Sequence, residues 1–189
     1  MLRVVYFLAF VFVLVACGTT NNGSGSAIKD SLPPPNSGDN EGDFLYSLYT
    51  EKDVYDEFGD LAIFAELTYV GDEESIDIFH GGSAFHFPFI ERTREFDVGY
   101  AMNEPLLTTT LFKDVPLREK YAFAGGYSDE DTEEFQQFVQ TIIDKGFPEG
   151  EYIMNGSAQF YLNNPAFTTN DKKYDMSASI GFTVMKDVK

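Results

Sequence analysis

Two imidazoles, one nearby hydroxyl and a few thioethers are the groups in this chain with the types to do chemistry. His80 and His86 are its only histidines, and they flank Gly81-Gly82. A glycine pair breaks an extended segment and lets the chain turn, so the two rings could approach across a hairpin. Imidazole with thioether suits copper, and Met102, Met154 or Met176 would have to complete such a set. Two histidines form a thin ligand set, and an inward-facing methionine usually fills core space. No metal is therefore expected, and His80 and His86 stand as speculative binding residues. Ser83 precedes His86 by three positions and suggests a hydrolase pair. No Gly-x-Ser-x-Gly turn or placed third member accompanies it. Asp129-Glu130-Asp131 has the look of a calcium loop, but that loop needs Gly sixth and Glu twelfth. Glu134 and Gln140 stand there instead. Glycoside hydrolysis needs two placed carboxylates, and nothing singles out one pair among 31 acidic residues. No catalytic residue, cofactor or enzymatic activity is expected.

The remaining reactive side chain is the lone cysteine, Cys17. It follows an apolar run from Val4 to Val13, with Arg3 as the only charge ahead of it. That run is too short for a spanning helix, which takes about 20 apolar residues, and fits the apolar region of a secretory signal. Leu14-Val15-Ala16-Cys17 resembles a bacterial lipobox. The resemblance implies cleavage before Cys17, a thioether-linked diacylglycerol and palmitate on that residue, and attachment to the outer face of the cell membrane. Two acyl chains suffice for stable anchoring where one does not. The alternatives are a secreted chain from which Cys17 is cut away, or a buried helix. With no second cysteine there is no internal disulfide, so the fold must rest on its hydrophobic core.

Composition supports one domain with a tail. The chain has 189 residues, 43% hydrophobic and 16% aromatic, with a formal charge of −18. Without Arg3 the balance is 12 basic to 31 acidic residues. Phosphate backbones are bound largely through Lys and Arg, so nucleic-acid binding is excluded as an expectation, as is attraction to anionic headgroups. The acidity keeps a domain dispersed or serves a basic partner or cations.

The elements that must position these groups follow from periodicity. Residues 1–16 read as signal peptide and 17–43 as lipidated cysteine plus disordered linker, rich in Gly, Ser and Asn and carrying Pro33-Pro34-Pro35. Residues 44–189 read as one β-rich domain. Leu45–Thr50 is a first strand. Leu61, Ile63, Ala65, Leu67 and Tyr69 share one face of the next. Ser75–His80 follows, then Phe85, Phe87 and Phe89 on one face, where Pro88 requires an edge or a bulge. Shorter strands cover Phe96–Met102, Leu106–Phe112 and Leu117–Phe123. Ser128–Lys145 reads as a helix, with Ser128 and Asp131 as a capping pair, acids in the first turns and Gly146 as the stop. Phe135, Phe138, Val139, Ile142 and Ile143 make its apolar stripe. Tyr152 to Leu162 and Tyr174 to Val184 alternate as two long strands. The whole predicts an antiparallel β-sandwich with one inserted amphipathic helix.

Four segments carry a resemblance. Lys52-Asp53-Val54-Tyr55, Gly71-Asp72-Glu73-Glu74, Gly82-Ser83-Ala84-Phe85-His86-Phe87 and Phe147-Pro148-Glu149-Gly150-Glu151-Tyr152 resemble, in order, the Ig-like domain of the BsuPI family of intracellular proteinase inhibitors. The resemblance implies an Ig-like sandwich and a protease-inhibiting role. The chain departs from the pattern in having no tryptophan, an extra helix before Phe147 and an export signal. The expected protein is a membrane-anchored extracytoplasmic lipoprotein acting as a binding module toward an envelope or secreted protein. A protease inhibitor, a copper carrier using His80 and His86, and an envelope hydrolase are the alternatives.

Overall fold

Residues 31–163 and 172–186 of the computed structural model are described here. Cys17 and the whole signal segment lie outside them. The elements in chain order are β1 (Asn36–Glu41), β2 (Phe44–Thr50), β3 (Val54–Asp56), β4 (Ile63–Tyr69), β5 (Ser75–His80) and β6 (Phe85–His86). Then come β7 (Phe89–Glu91), β8 (Phe96–Val98), β9 (Leu107–Phe112), β10 (Leu117–Lys120), α1 (Glu133–Lys145), β11 (Gly150–Tyr161) and β12 (Lys173–Met185).

β11 and β12 form the longest ladder, from Gly150 opposite Val184 to Tyr161 opposite Lys173. Their alternation places Tyr152, Met154, Ala158 and Phe160 inward beside Tyr174, Met176, Ile180 and Phe182. Two cross-strand ring pairs follow from that register. Tyr152 stacks on Phe182 at 5.2 Å, and Phe160 on Tyr174 at 4.8 Å. The other side of β11 is lined by β5, β6 and β7. Pro88 sits in the gap between β6 and β7, where its carbonyl accepts from the Asn155 N–H at 2.9 Å. Phe85, Phe87 and Phe89 stay buried on either side of it, and β6 and β7 hold one register against β11, so the proline interrupts the ladder through its missing N–H and makes no bulge.

The sheets run β1-β2-β4-β10 and β3-β12-β11-β5-β9. They bury their inner faces against each other, so the fold is mainly β, a sandwich with one helix. Among the described residues all ladders are antiparallel except β3 on β12, which is parallel. The core holds Phe44, Tyr46 and Leu48 of β2 and Ile63, Ala65, Leu67 and Tyr69 of β4; the β4 face is the one that periodicity assigns inward.

Two expectations need correction. The segment before Phe44 is not all tether, because β1 pairs with β2 over its full length. Ahead of β1, Pro35 O accepts from Thr50 N–H at 2.9 Å, and within β1 Asp39 Oδ2 accepts from Ser177 N–H at 3.2 Å. β1 buries almost no side chain. It is held by main-chain bonds, which leave no hydrophobic period to read. The compact unit that holds both sheets begins at Ser31.

The helix begins five residues later than expected. Thr132 is its N-cap, with an extended backbone and a hydroxyl accepting from Phe135 N–H at 3.3 Å. Ser128 and Asp131 do pair, but in the preceding turn. Glu133 and Glu134 open the helix and Lys145 closes it, as the dipole favours. Gly146 ends it at φ 106°, where a Cβ would also meet the Phe58 backbone. Phe138, Val139 and Ile142 are buried, whereas Ile143 is 52% exposed. The stripe is therefore narrower than predicted, and Phe96 of β8 packs its edge, 5.4 Å from Phe135 and 5.2 Å from Phe138.

Candidate functional site

His80 ends β5 and His86 ends β6, so the Gly81-Gly82 turn does bring both into one recess. That recess holds about 250 Å³ and is lined by His80, His86, Met102, Glu104, Leu106 and Tyr161, among others. Met154 and Met176 are fully buried in the sandwich and take no part. The sequence thus places His80, His86 and Met102 together, and the turn is the reason. Close packing around the turn fixes its residues: a Cβ on Gly82 would lie 3.0 Å from Asn103 O.

The two imidazoles differ in what is left to offer. His80 is 8% exposed, with Nδ1 2.9 Å from Gly81 O and Nε2 2.8 Å from Thr109 Oγ1. The carbonyl can only accept, so Nδ1 carries a proton, and in the neutral ring Nε2 accepts from the threonine hydroxyl. Both nitrogens are committed to the fold. His86 is half-buried and meets Tyr100 edge-on at 6.2 Å. Burial lowers its pKa from 6.5, and Lys173 adds to that, against the opposing pull of Asp175 and Glu104. His86 is the imidazole open to a ligand.

Ser83 is tied down. Its hydroxyl donates to Glu119 Oε2 at 2.7 Å and accepts from Phe85 N–H at 2.9 Å. Its own N–H donates to Met102 Sδ at 2.9 Å, so the thioether also has a structural partner. No imidazole reaches the Ser83 hydroxyl, and a nucleophile needs a base within about 3 Å. Among the described residues no three His, Cys, Asp or Glu side chains group as a metal site. Asp129 and Glu130 lie in the exposed turn before the helix.

Sequence reasoning passed over Glu91, a fully buried carboxylate at the end of β7. It accepts from Thr93 N–H at 2.9 Å and Arg94 N–H at 2.8 Å, with the Arg94 guanidinium 3.2 Å away. It closes the β7–β8 turn, whose Glu95 has φ 58°. Gly150 leaves the room, since a Cβ there would fall 2.5 Å from Glu91 Oε1. The signal was available in Glu91-Arg92-Thr93-Arg94: an acid followed by a short polar turn with a cation three residues on. Arg94 lies 5.6 Å over the Phe138 ring and borders a second, more open recess of about 460 Å³ against the helix, with Phe96, Gln137 and Thr141.

Comparison with protein-family models, with curated proteins and with solved structures finds no match to this chain.

Proposed function

We propose that this chain is a lipoprotein held by Cys17 on the extracytoplasmic face of the cell membrane, with the sandwich acting as a non-enzymatic binding module. The anchor rests on the apolar run and Leu14-Val15-Ala16-Cys17. Among the described residues no helix is long and apolar enough to cross a membrane. The module rests on one observation. The polar side chains that suggest chemistry, Ser83, His80 and Glu91, are each spent on hydrogen bonds that hold turns. What stays open beside them is a recess with one available imidazole and mixed walls, Met102 and Leu106 beside Glu104, Gln159 and Lys173, a recognition surface.

The anchor is tested by growing cells expressing the full chain with a labelled fatty acid. Label that follows the protein into detergent, and is lost in Cys17→Ser, supports it. An unlabelled chain released to the medium removes it. The module is tested by assaying the purified chain against a broad hydrolase panel and against secreted proteases. Turnover abolished by Ser83→Ala would replace the binding reading with an enzymatic one. Stoichiometric slowing of a protease would specify it as the inhibitor that the resemblance implies.

Copper carriage is favoured by one observation, that His86 and Met102 line the same recess. Copper(I) retained through purification and lost in the His86→Ala, Met102→Leu variant would establish it.

A further inference from the structure

The edges of the sandwich are not equally protected. β10, the edge of one sheet, carries Arg118, Glu119 and Lys120. β1, the other edge of that sheet, carries Asp39 and Glu41 and lies against β12 through Asp39 and Ser177. β3 spans three residues and ends in Asp56. β9 is different. With Leu106 just ahead of it, the stretch to Phe112 reads Leu-Leu-Thr-Thr-Thr-Leu-Phe, with no charge, proline or glycine between Pro105 and Lys113, in a chain of 31 acidic and 13 basic residues. Natural edge strands are usually blunted by charge, proline or a bulge, because an open edge is a template for another strand.

The backbone of β9 faces outward at known positions. Lys113 N–H donates to Glu74 O at 3.0 Å, continuing the register that pairs Ser75 with Phe112. Alternate residues of an antiparallel strand turn their main-chain groups to opposite edges. Thr109 and Leu111 therefore serve β5, and Thr108 and Thr110 point their N–H and C=O groups away from the sheet. Both threonines have exposed side chains; Leu106 is 45% and Phe112 is 59% exposed.

The strand is also nearly palindromic about Thr109. Run against itself, it sets Thr108 opposite Thr110, Leu107 opposite Leu111 and Leu106 opposite Phe112. In each pair both residues lie on the same sheet face, as a two-fold axis normal to the sheet requires. Thr–Thr and apolar cross-strand pairs are favourable ones.

We propose that β9 is a self-pairing edge, and that the partner it fits is the β9 of a second copy of this chain, antiparallel about Thr109. The β3-β12-β11-β5-β9 sheet then continues through the junction into the second copy. Thr108 and Thr110′ exchange main-chain hydrogen bonds, and Leu106 covers Phe112′ at both ends. Each copy carries strong negative charge, so an uncharged strip is the contact that like molecules can make, and their repulsion is relieved as salt screens it.

The test is sedimentation of the chain from Gly18 onward, which retains the entire core, over a range of concentration and salt. A monomer–dimer equilibrium that tightens with added salt is expected. Thr108→Asp and Phe112→Asp should each weaken it by about tenfold or more, with an unchanged unfolding temperature. Independently of those variants, Thr108→Cys with Thr110→Cys places two thiols opposite each other across the junction. Directly opposed strand residues lie within disulfide reach, and this chain has no other cysteine beyond Cys17. Mild oxidation should yield covalent dimers. A chain that stays monomeric at high concentration and salt, or a dimer indifferent to both aspartates and not trapped by the thiols, overturns the proposal.

Discussion

The Tyr46 hydroxyl stands where residue 156 would carry a side chain: a Cβ built on Gly156 would lie 2.6 Å from it. The two residues join the sheets at the centre of the sandwich. Gly156 lies in a fully alternating strand, where it forgoes packing of its own, so that β2 can close on β11. The tyrosine hydroxyl gains nothing from this in return. It is buried with no hydrogen-bond partner among the described residues, and burial alone pushes its pKa well above the ordinary tyrosine value.

Two opposite results are expected from that contact. Gly156→Ala forces the sheets apart or displaces the ring, and should cost about 1–3 kcal/mol. Tyr46→Phe removes an unsatisfied polar group and should stabilise by about 1 kcal/mol. In the double variant the alanine should cost less than it does alone, because the nearest atom it strikes is gone and only the Leu48 methyls, at 2.9 and 3.0 Å, remain to yield. Denaturant unfolding of the four proteins measures the coupling. Strictly additive costs would mean that the contact does not govern the site.

The helix offers a sharper separation of core from surface. Phe138 is 5% exposed and lies under Arg94 and against Phe96, whereas Ile143, on the same predicted stripe, is 52% exposed. Phe138→Asp should cost about 3 kcal/mol or more by burying a charge. Ile143→Asp should change stability by less than about 0.5 kcal/mol. Thermal unfolding of both variants decides it, and equal losses would place the whole stripe in the core.

These contrasts show what the sequence could carry. Strand faces were legible wherever side chains alternate, as in Leu61 to Tyr69 and Tyr152 to Phe160, because one buried face imposes the period. The shared recess of His80 and His86 was legible because two glycines between them leave little alternative. β1 was not legible, since Asn36–Glu41 contributes main chain and almost no buried side chain. Neither was the fate of His80, whose second partner, Thr109, is 29 residues away. Glu91 was only half legible. Arg94 three residues on was a signal, but its other two partners are backbone N–H groups, which sequence does not display.

His86 predicts a pH dependence with a definite sign. Its pKa is lowered in the folded chain, chiefly by burial, so the unfolded state binds more protons between the two values. The neutral ring's contribution is complete above the unfolded value of 6.5. It is lost as pH falls from there through the lower folded value. The wild-type chain should therefore lose stability relative to His86→Gln over that window, and the two curves should run parallel above it. An NMR titration of the His86 ring with a midpoint above 6.5 would reverse the sign and with it the expected curve.

β1 carries the last prediction. Thr50 N–H is held by Pro35 O and Ser177 N–H by Asp39. Gly181 N–H reaches Pro34 O at 3.4 Å, and a Cβ on Gly181 would lie 2.6 Å from that of Leu32. The segment from Ser31 thus covers the free edges of β2 and part of β12, two strands that otherwise bury the core. A chain beginning at Ser31 should unfold at the same temperature as one beginning at Gly18. A chain beginning at Phe44 loses the β1 ladder and exposes both edges. It should be less stable by several kcal/mol, at about 1 kcal/mol for each lost hydrogen bond, and should aggregate through the uncovered strands. Calorimetry of the three chains separates the cases, and equal unfolding temperatures would return Asn36–Glu41 to the role of a tether.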